Sequence, residues 1–140
     1  MKLGVICDGI SRDLGHAVDV MDEFGLEYAE LQFVGDTEVG DHSAAEIAAI
    51  DRLLRDRGKP VSCLSRHIFA GTTKDNKPGD ELHTKHMDAL KRVIDMAHVV
   101  GSPLVRVMTP KKEQILWGLN GAEKWNVAHG AWDAMLPLIA

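Results

Sequence analysis

Three short connections constrain this chain most: "GLE" at 25–27, "GKP" at 58–60 and "GSP" at 101–103. Each opens with a glycine, the residue that most easily takes the left-handed turn ending a helix, and each runs into an apolar, strand-like stretch. Behind each lies helical spacing: Leu14, Ala17, Val18, Met21 and Phe24, then Ile47, Ile50 and Leu54, then Leu82, Leu90, Val93, Ile94, Ala97 and Val100 facing inward. Ser11 or Asp13 can cap the first helix. "SAAE" at 43–46 is a capping box, in which Ser43 and Glu46 satisfy each other's backbone amides. The third helix starts near Asp80. Strands are predicted over 2–7, 28–34, 60–65 and 103–109, and a last amphipathic segment carries Trp125, Ala128, Trp132 and Leu136, with Pro137 bending or ending it. The order is βαβαβαβα. Such alternation implies parallel strands with helices packed outside, and the apolar strand runs suit a sheet covered by helices.

The opposite connections behave differently. Strand-to-helix segments are long, notably 66–79 and 109–121. In parallel α/β folds the functional face lies at the carboxyl ends of the strands, and long loops there tend to be functional. Two architectures fit: a small doubly wound sheet, or part of a (β/α)8 barrel, which takes about 250 residues. The first βα turn, "CDGISRDLG", carries neither phosphate-binding glycine fingerprint. The chain also stops inside the apolar segment "AWDAMLPLIA". The expected fold is therefore α/β, the first four β/α units of a (β/α)8 TIM barrel: a half-barrel of parallel strands with outer helices. The 140 residues are expected to form a single domain, 1–140, the N-terminal part of an incomplete barrel.

Composition narrows the function classes. Hydrophobic residues make up 45% and charged residues 26%, with a net charge of −5 at pH 7. No basic stripe marks a nucleic-acid surface, no apolar run is long enough to span a bilayer, and the N-terminus lacks a signal-peptide core. A cytoplasmic location is expected. Cys7 and Cys63 sit in apolar runs and give neither a disulfide framework nor zinc spacing.

The order of "LGVICD", "YAELQF", "SCLSRHIFAG", "HMDALKRVIDMAHVVGSPLVRVMT" and the tryptophan-bearing loop resembles the sugar phosphate isomerase/epimerase superfamily, the xylose-isomerase-like TIM barrels. Its strongest piece is the helix ending A-x-x-x-G that runs directly into a strand carrying V-x-V. The resemblance covers nearly the whole chain as a pattern, not as one diagnostic motif. It implies carbohydrate metabolism: a metal-binding isomerase or epimerase acting on a small sugar, sugar phosphate or polyol by proton abstraction next to a carbonyl. The implied cofactor is a divalent metal, Mn²⁺ or Mg²⁺ or else Zn²⁺, with its main ligands on later strands. The catalytic carboxylates are expected beyond Ala140, so the 140 residues alone are expected to be inactive. Two alternatives stand beside this reading. One is an endonuclease-IV-like metal-dependent phosphodiesterase, for which Met108 takes the place of one expected histidine. The other is a non-catalytic half-barrel that assembles with a second chain. The expected partners are accordingly a sugar-like substrate and either a homo-oligomer or a complementary chain completing the barrel; neither nucleic acid nor membrane is favoured.

Five residues are candidates for substrate contact. His67 follows the third strand, where an imidazole can donate to substrate or reach a metal; it is the one candidate metal contact in this chain. Glu30 and Gln32 alternate onto one face of the second strand. Glu30 either joins a polar network under the site or pairs with a basic neighbour such as Arg106. Arg106, inside the fourth strand, calls for a carboxylate or an anion. Asp8 ends the first strand, as a contact for a sugar hydroxyl or as a turn residue. The resemblance places Trp117 against the apolar face of a sugar. Lys111 and Lys112 are expected to be solvated. His83 and His86 are expected on the surface of their helix.

Overall fold

The computed structural model describes residues 3–72 and 76–108. Among them are strands β1 (Gly4–Ile6), β2 (Tyr28–Leu31), β3 (Phe33–Val34), β4 (Thr37–Glu38), β5 (Val61–Ile68) and β6 (Val105–Val107), and helices α1 (Leu14–Glu23), α2 (Ala44–Asp56) and α3 (Glu81–Val100). A four-stranded sheet runs in the order β1-β2-β5-β6. β1 pairs parallel with β2, and β2 parallel with β5. The expected last segment around Trp125 and Trp132, with Lys111, Lys112 and Trp117, lies outside the described residues.

The chain divides into two compact units, 1–66 with 89–106, and 67–88 with 107–140. In the first, Ala29 and Leu31 of β2, Leu64 of β5 and Val105 of β6 pack with Ala17, Val18 and Met21 of α1, Ile50 and Leu54 of α2, and Val93, Met96, Ala97 and Val100 of α3. Burying each large side chain contributes roughly 1.5–3 kcal/mol. Helix signals behave as their chemistry demands. Asp13 caps α1 by accepting from the His16 amide at 3.2 Å, and both halves of the Ser43–Glu46 capping box form on α2. Gly25, Gly58 and Gly101 take positive φ just past their helices.

Several boundaries differ from the sequence expectation. Cys7 leaves β1 for a 3-10 turn, Cys7–Gly9. The run 28–34 is not one strand: it breaks at Gln32, and Phe33–Val34 turns back antiparallel on Thr37–Glu38. Gly35, at φ +61°, with Asp36 forms the two-residue turn between Val34 and Thr37, a connection glycine favours. Gln32 is therefore off the strand, its carbonyl accepting from the Val39 amide at 2.9 Å. β5 runs to Ile68, so His67 lies within the strand and not after it. On α3, Ile94 is exposed and Met96 fully buried, because the core-facing stripe runs through 89, 93, 96, 97 and 100.

The β3–β4 hairpin is clamped at its end. Arg66, nearly buried, donates to the Val39 carbonyl and to Asp41, each at 2.6 Å. Arg92 from α3 reaches the other oxygen of Asp41 at 2.8 Å. Gly40 packs so close to α3 that a Cβ there would lie 2.6 Å from Val93 Cγ2. Among the described residues, no helix is long and apolar enough to cross a membrane.

Candidate functional site

Strand alternation sorts the first unit's sheet into two faces. Ala29, Leu31, Leu64 and Val105 face the helices. The positions between them, Glu30, Cys63, Ser65 and Arg106, share the opposite face. Register brings Glu30 level with Cys63, and the Leu64 amide donates to the Leu104 carbonyl at 3.0 Å, which sets Ser65 beside Arg106.

Ser65 is completely buried and connects an acid to a base. Its hydroxyl donates to Glu30 Oε1. Its carbonyl accepts from Arg106 Nη2 at 3.1 Å. Cys63 Sγ lies 3.7 Å from the same hydroxyl. Glu30 is thus held in a polar network and, among the described residues, forms no ion pair with Arg106. The Nε–H of Arg106 is buried without a hydrogen-bond partner.

Cys7 lies in the apolar core on the helix side, its Sγ 3.9 Å from Met21 Sδ. Burial pushes its thiol up to about 11, with the negative charge of Asp8 adding to the effect; the group is a protonated, inert hydrophobe at neutral pH. Asp8 sits in the 3-10 turn beyond β1, and its Oδ1 accepts from the Phe33 amide at 3.4 Å. That contact ties the end of β1 to the start of the hairpin. Arg12 covers the Phe33 ring, 4.1 Å from its centroid, and donates to the Gly35 carbonyl at 3.3 Å.

His67 is exposed on β5 and belongs to the second unit. Within that unit, Phe69 takes φ +62°, a conformation that costs a non-glycine residue about 1–3 kcal/mol. Its amide donates to His86 Nδ1 at 3.1 Å, and Thr72 Oγ1 donates to its carbonyl at 2.7 Å. The Gly79 amide donates to His83 Nδ1 at 2.8 Å. The Phe69 ring lies 6.3 Å from the His83 ring and 5.4 Å from that of His86. His83 and His86 are therefore half-buried anchors of the loop, not surface residues. Asp80 caps α3, accepting from the His83 and Lys77 amides at 2.6 and 3.0 Å, and these bonds hold its carboxyl below the usual range.

Of the five sequence candidates, Glu30 and Arg106 meet through Ser65. Asp8 reaches the hairpin backbone, His67 is exposed in the other unit, and Trp117 lies outside the described residues. Ser65 was not singled out in the sequence, although its place two residues from Cys63 and one from Leu64 puts it on the face of Glu30. Among the described residues, no three His, Cys, Asp or Glu side chains form a group able to hold a metal ion; these residues do not by themselves make the metal centre that the resemblance implies. A cleft of about 430 Å³ opens at the amino end of β5, between Asp51, Arg55, Lys59, Pro60 and Val100. That end of a parallel βα structure serves stability, not chemistry.

No family model matches the sequence, and no curated protein matches it either. Among solved structures, the chain is similar to the 1.90 Å crystal structure of a candidate xylose isomerase from Rhodospirillum rubrum, with a TM-score of 0.59 and 22% identity. The match takes in 99% of this chain and 49% of that one, so this chain spans about half the length of the structure it matches. At this identity the likeness is one of fold. The chain has the fold of the first half of a xylose-isomerase-like TIM barrel.

Proposed function

We propose that this chain is the first half of a metal-dependent isomerase or epimerase that abstracts a proton next to the carbonyl of a small sugar, sugar phosphate or polyol. The observation that carries this is the polar row Glu30–Ser65–Arg106 on the sheet face that a closed barrel turns inward. A sheet face destined for an apolar core would not hold a carboxylate and a guanidinium. The fold's likeness to a candidate xylose isomerase supports the reaction class by analogy.

In this proposal a divalent metal, Mn²⁺, Mg²⁺ or Zn²⁺, supplies Lewis acidity toward the substrate's oxygens. Its ligands and the proton-transferring carboxylates come from strands past Ala140. The residues of the first unit bind and orient: Asp8 accepts from a hydroxyl, and Glu30 and Arg106 set the polar floor. The test is metal analysis of the longest natural protein containing these residues after incubation with Mn²⁺, followed by chromatography over a panel of aldoses and ketoses. Bound metal and interconversion of at least one sugar pair, lost with a chelator, are expected. A protein that takes up no divalent metal would overturn the proposal.

A further inference from the structure

We propose that His83 and His86 make the connection from β5 to α3 a pH-sensitive fastening: as neutral rings they hold both of its arms to α3, and on protonation they release them. The basis is which ring nitrogen meets the backbone. The Phe69 amide donates to His86 Nδ1 at 3.1 Å, and the Gly79 amide donates to His83 Nδ1 at 2.8 Å. A backbone amide can only donate. Each Nδ1 therefore presents a lone pair, and each ring is neutral with its hydrogen on Nε2. A proton added to either ring goes to that Nδ1, where it meets the amide hydrogen, and the bond is lost. Phe69 lies on the arm that leaves β5 and Gly79 on the arm that enters α3, so the two rings fasten both arms.

Among the described residues Phe69 is the one non-glycine residue with a positive φ, a conformation that persists only where its surroundings impose it. His86 binds its amide and Thr72 its carbonyl; without the first, the backbone relaxes. The buried Phe69 ring packs against both imidazoles, so charging them sets two like charges one helical turn apart. Other groups act on the rings. Asp80, at the N-cap of α3, attracts a protonated His83, and the Phe69 ring attracts a cation over its face; both favour the charged form. On the second arm, Lys77 is exposed, and its amide and the Asn76 side chain bind Asp80. His67 is exposed on β5, and Glu81, Lys85 and Asp88 are exposed on other sides of α3. Asp80 stays ionised from pH 8 down to pH 5, because the His83 and Lys77 amides hold its carboxyl below the usual range. The cap of α3 thus outlasts the histidine fastening. The sign follows: both bonds need the neutral ring, so they are present at pH 8 and lost as pH falls through the range where imidazoles titrate.

The test is NMR of the ¹⁵N-labelled full chain between pH 8 and pH 5. Long-range ¹H–¹⁵N spectra report the protonation of each ring, assigned by its loss in single variants. Amide exchange, taken relative to the intrinsic rate at each pH, reports the fastening. At pH 8 both rings should show the Nε2–H form. As pH falls, protection of the Phe69 and Gly79 amides should drop at least tenfold along the titration curves of His86 and His83. The His83 amide, bound to Asp80, and the amides of 89–100 should keep theirs. His86→Asn puts a carbonyl oxygen where Nδ1 stands and gains no proton, so the Phe69 amide should stay protected at pH 5. His86→Phe should leave it unprotected at both extremes. Rings that carry the hydrogen on Nδ1 at pH 8, or that stay neutral at pH 5, would overturn the proposal. So would charged rings with the Phe69 and Gly79 amides as protected as before. These readings come from the wild type and decide the matter even where a variant fails to fold. A Phe69 amide released at pH 5 in His86→Asn as it is in the wild type would remove His86 from the fastening. Loss of protection across 89–100 together with the two amides would mean unfolding of the whole chain and would sink the proposal too.

Discussion

At Cys7, burial and the charge of Asp8 both oppose ionisation, and the thiol titrates near 11 instead of at its ordinary 9.0. The sign follows from proton counting. Between those two values the unfolded chain has lost this proton and the folded chain has kept it, so rising pH removes stability there, by at most about 2–3 kcal/mol. In the native protein at pH 8, an alkylating probe should label Cys63 and spare Cys7, as read by peptide mass spectrometry; equal labelling would contradict the burial of Cys7. Ser65 carries a different prediction. Removing its hydroxyl strands a half-buried carboxylate, so Ser65→Ala should cost about 1–3 kcal/mol in urea unfolding, and an unchanged midpoint would mean that Glu30 finds another donor. Glu30 and Arg106 were legible in the sequence because charges inside apolar strands demand partners. Ser65 was not, since a serine in "VSCLS" looks like any small strand residue until the neighbouring strands are in register. His83 and His86 were misjudged because their partners, the amides of Gly79 and Phe69, depend on how the preceding loop folds back.

Among the elements, the β3–β4 hairpin shows how a short insertion is fixed. Burial pushes the Asp41 carboxyl up, but Arg66 and Arg92 outweigh it and leave the group below its ordinary 3.8. The clamp is therefore complete above that value and lost as pH falls through the lower folded one. Asp41 is partly exposed, so screening limits its worth, and the sensitive readout is local: hairpin amide exchange should speed up in Asp41→Asn at pH 7. Unaltered exchange would show that Arg66 holds the hairpin through the Val39 carbonyl alone. Gly40 gives a sharper contrast. A side chain there meets Val93 and an unfavourable φ of +90°, so Gly40→Ala should cost about 3 kcal/mol or more. Gly25→Ala meets open space at φ +65° and should cost about 1 kcal/mol. Equal denaturation midpoints for the two variants would contradict the packing of the hairpin on α3. The hairpin escaped the sequence reading because "LQFV" continues the apolar run of β2. Its local signal, Gly35-Asp36 between two β-formers, was present and was outweighed by that run.

For the whole molecule, the alternation of apolar periods and the glycine-led returns were enough to place the fold, because parallel βα units leave few topologies open. Several strand ends were misplaced by one to three residues, where hydrogen bonding from neighbouring strands decides how far a strand extends. The candidate site was only half legible: residue types on the inward face could be named, but their partnering depends on register. The proposed chemistry makes one demand that no binding protein of the same fold would meet. Incubated in D₂O with Mn²⁺ and its sugar, the longest natural protein should place deuterium on the carbon next to the carbonyl, seen as loss of one proton signal in the sugar's NMR spectrum and abolished by a chelator. Metal-loaded protein that leaves every carbon-bound proton in the sugar panel unexchanged would contradict the account.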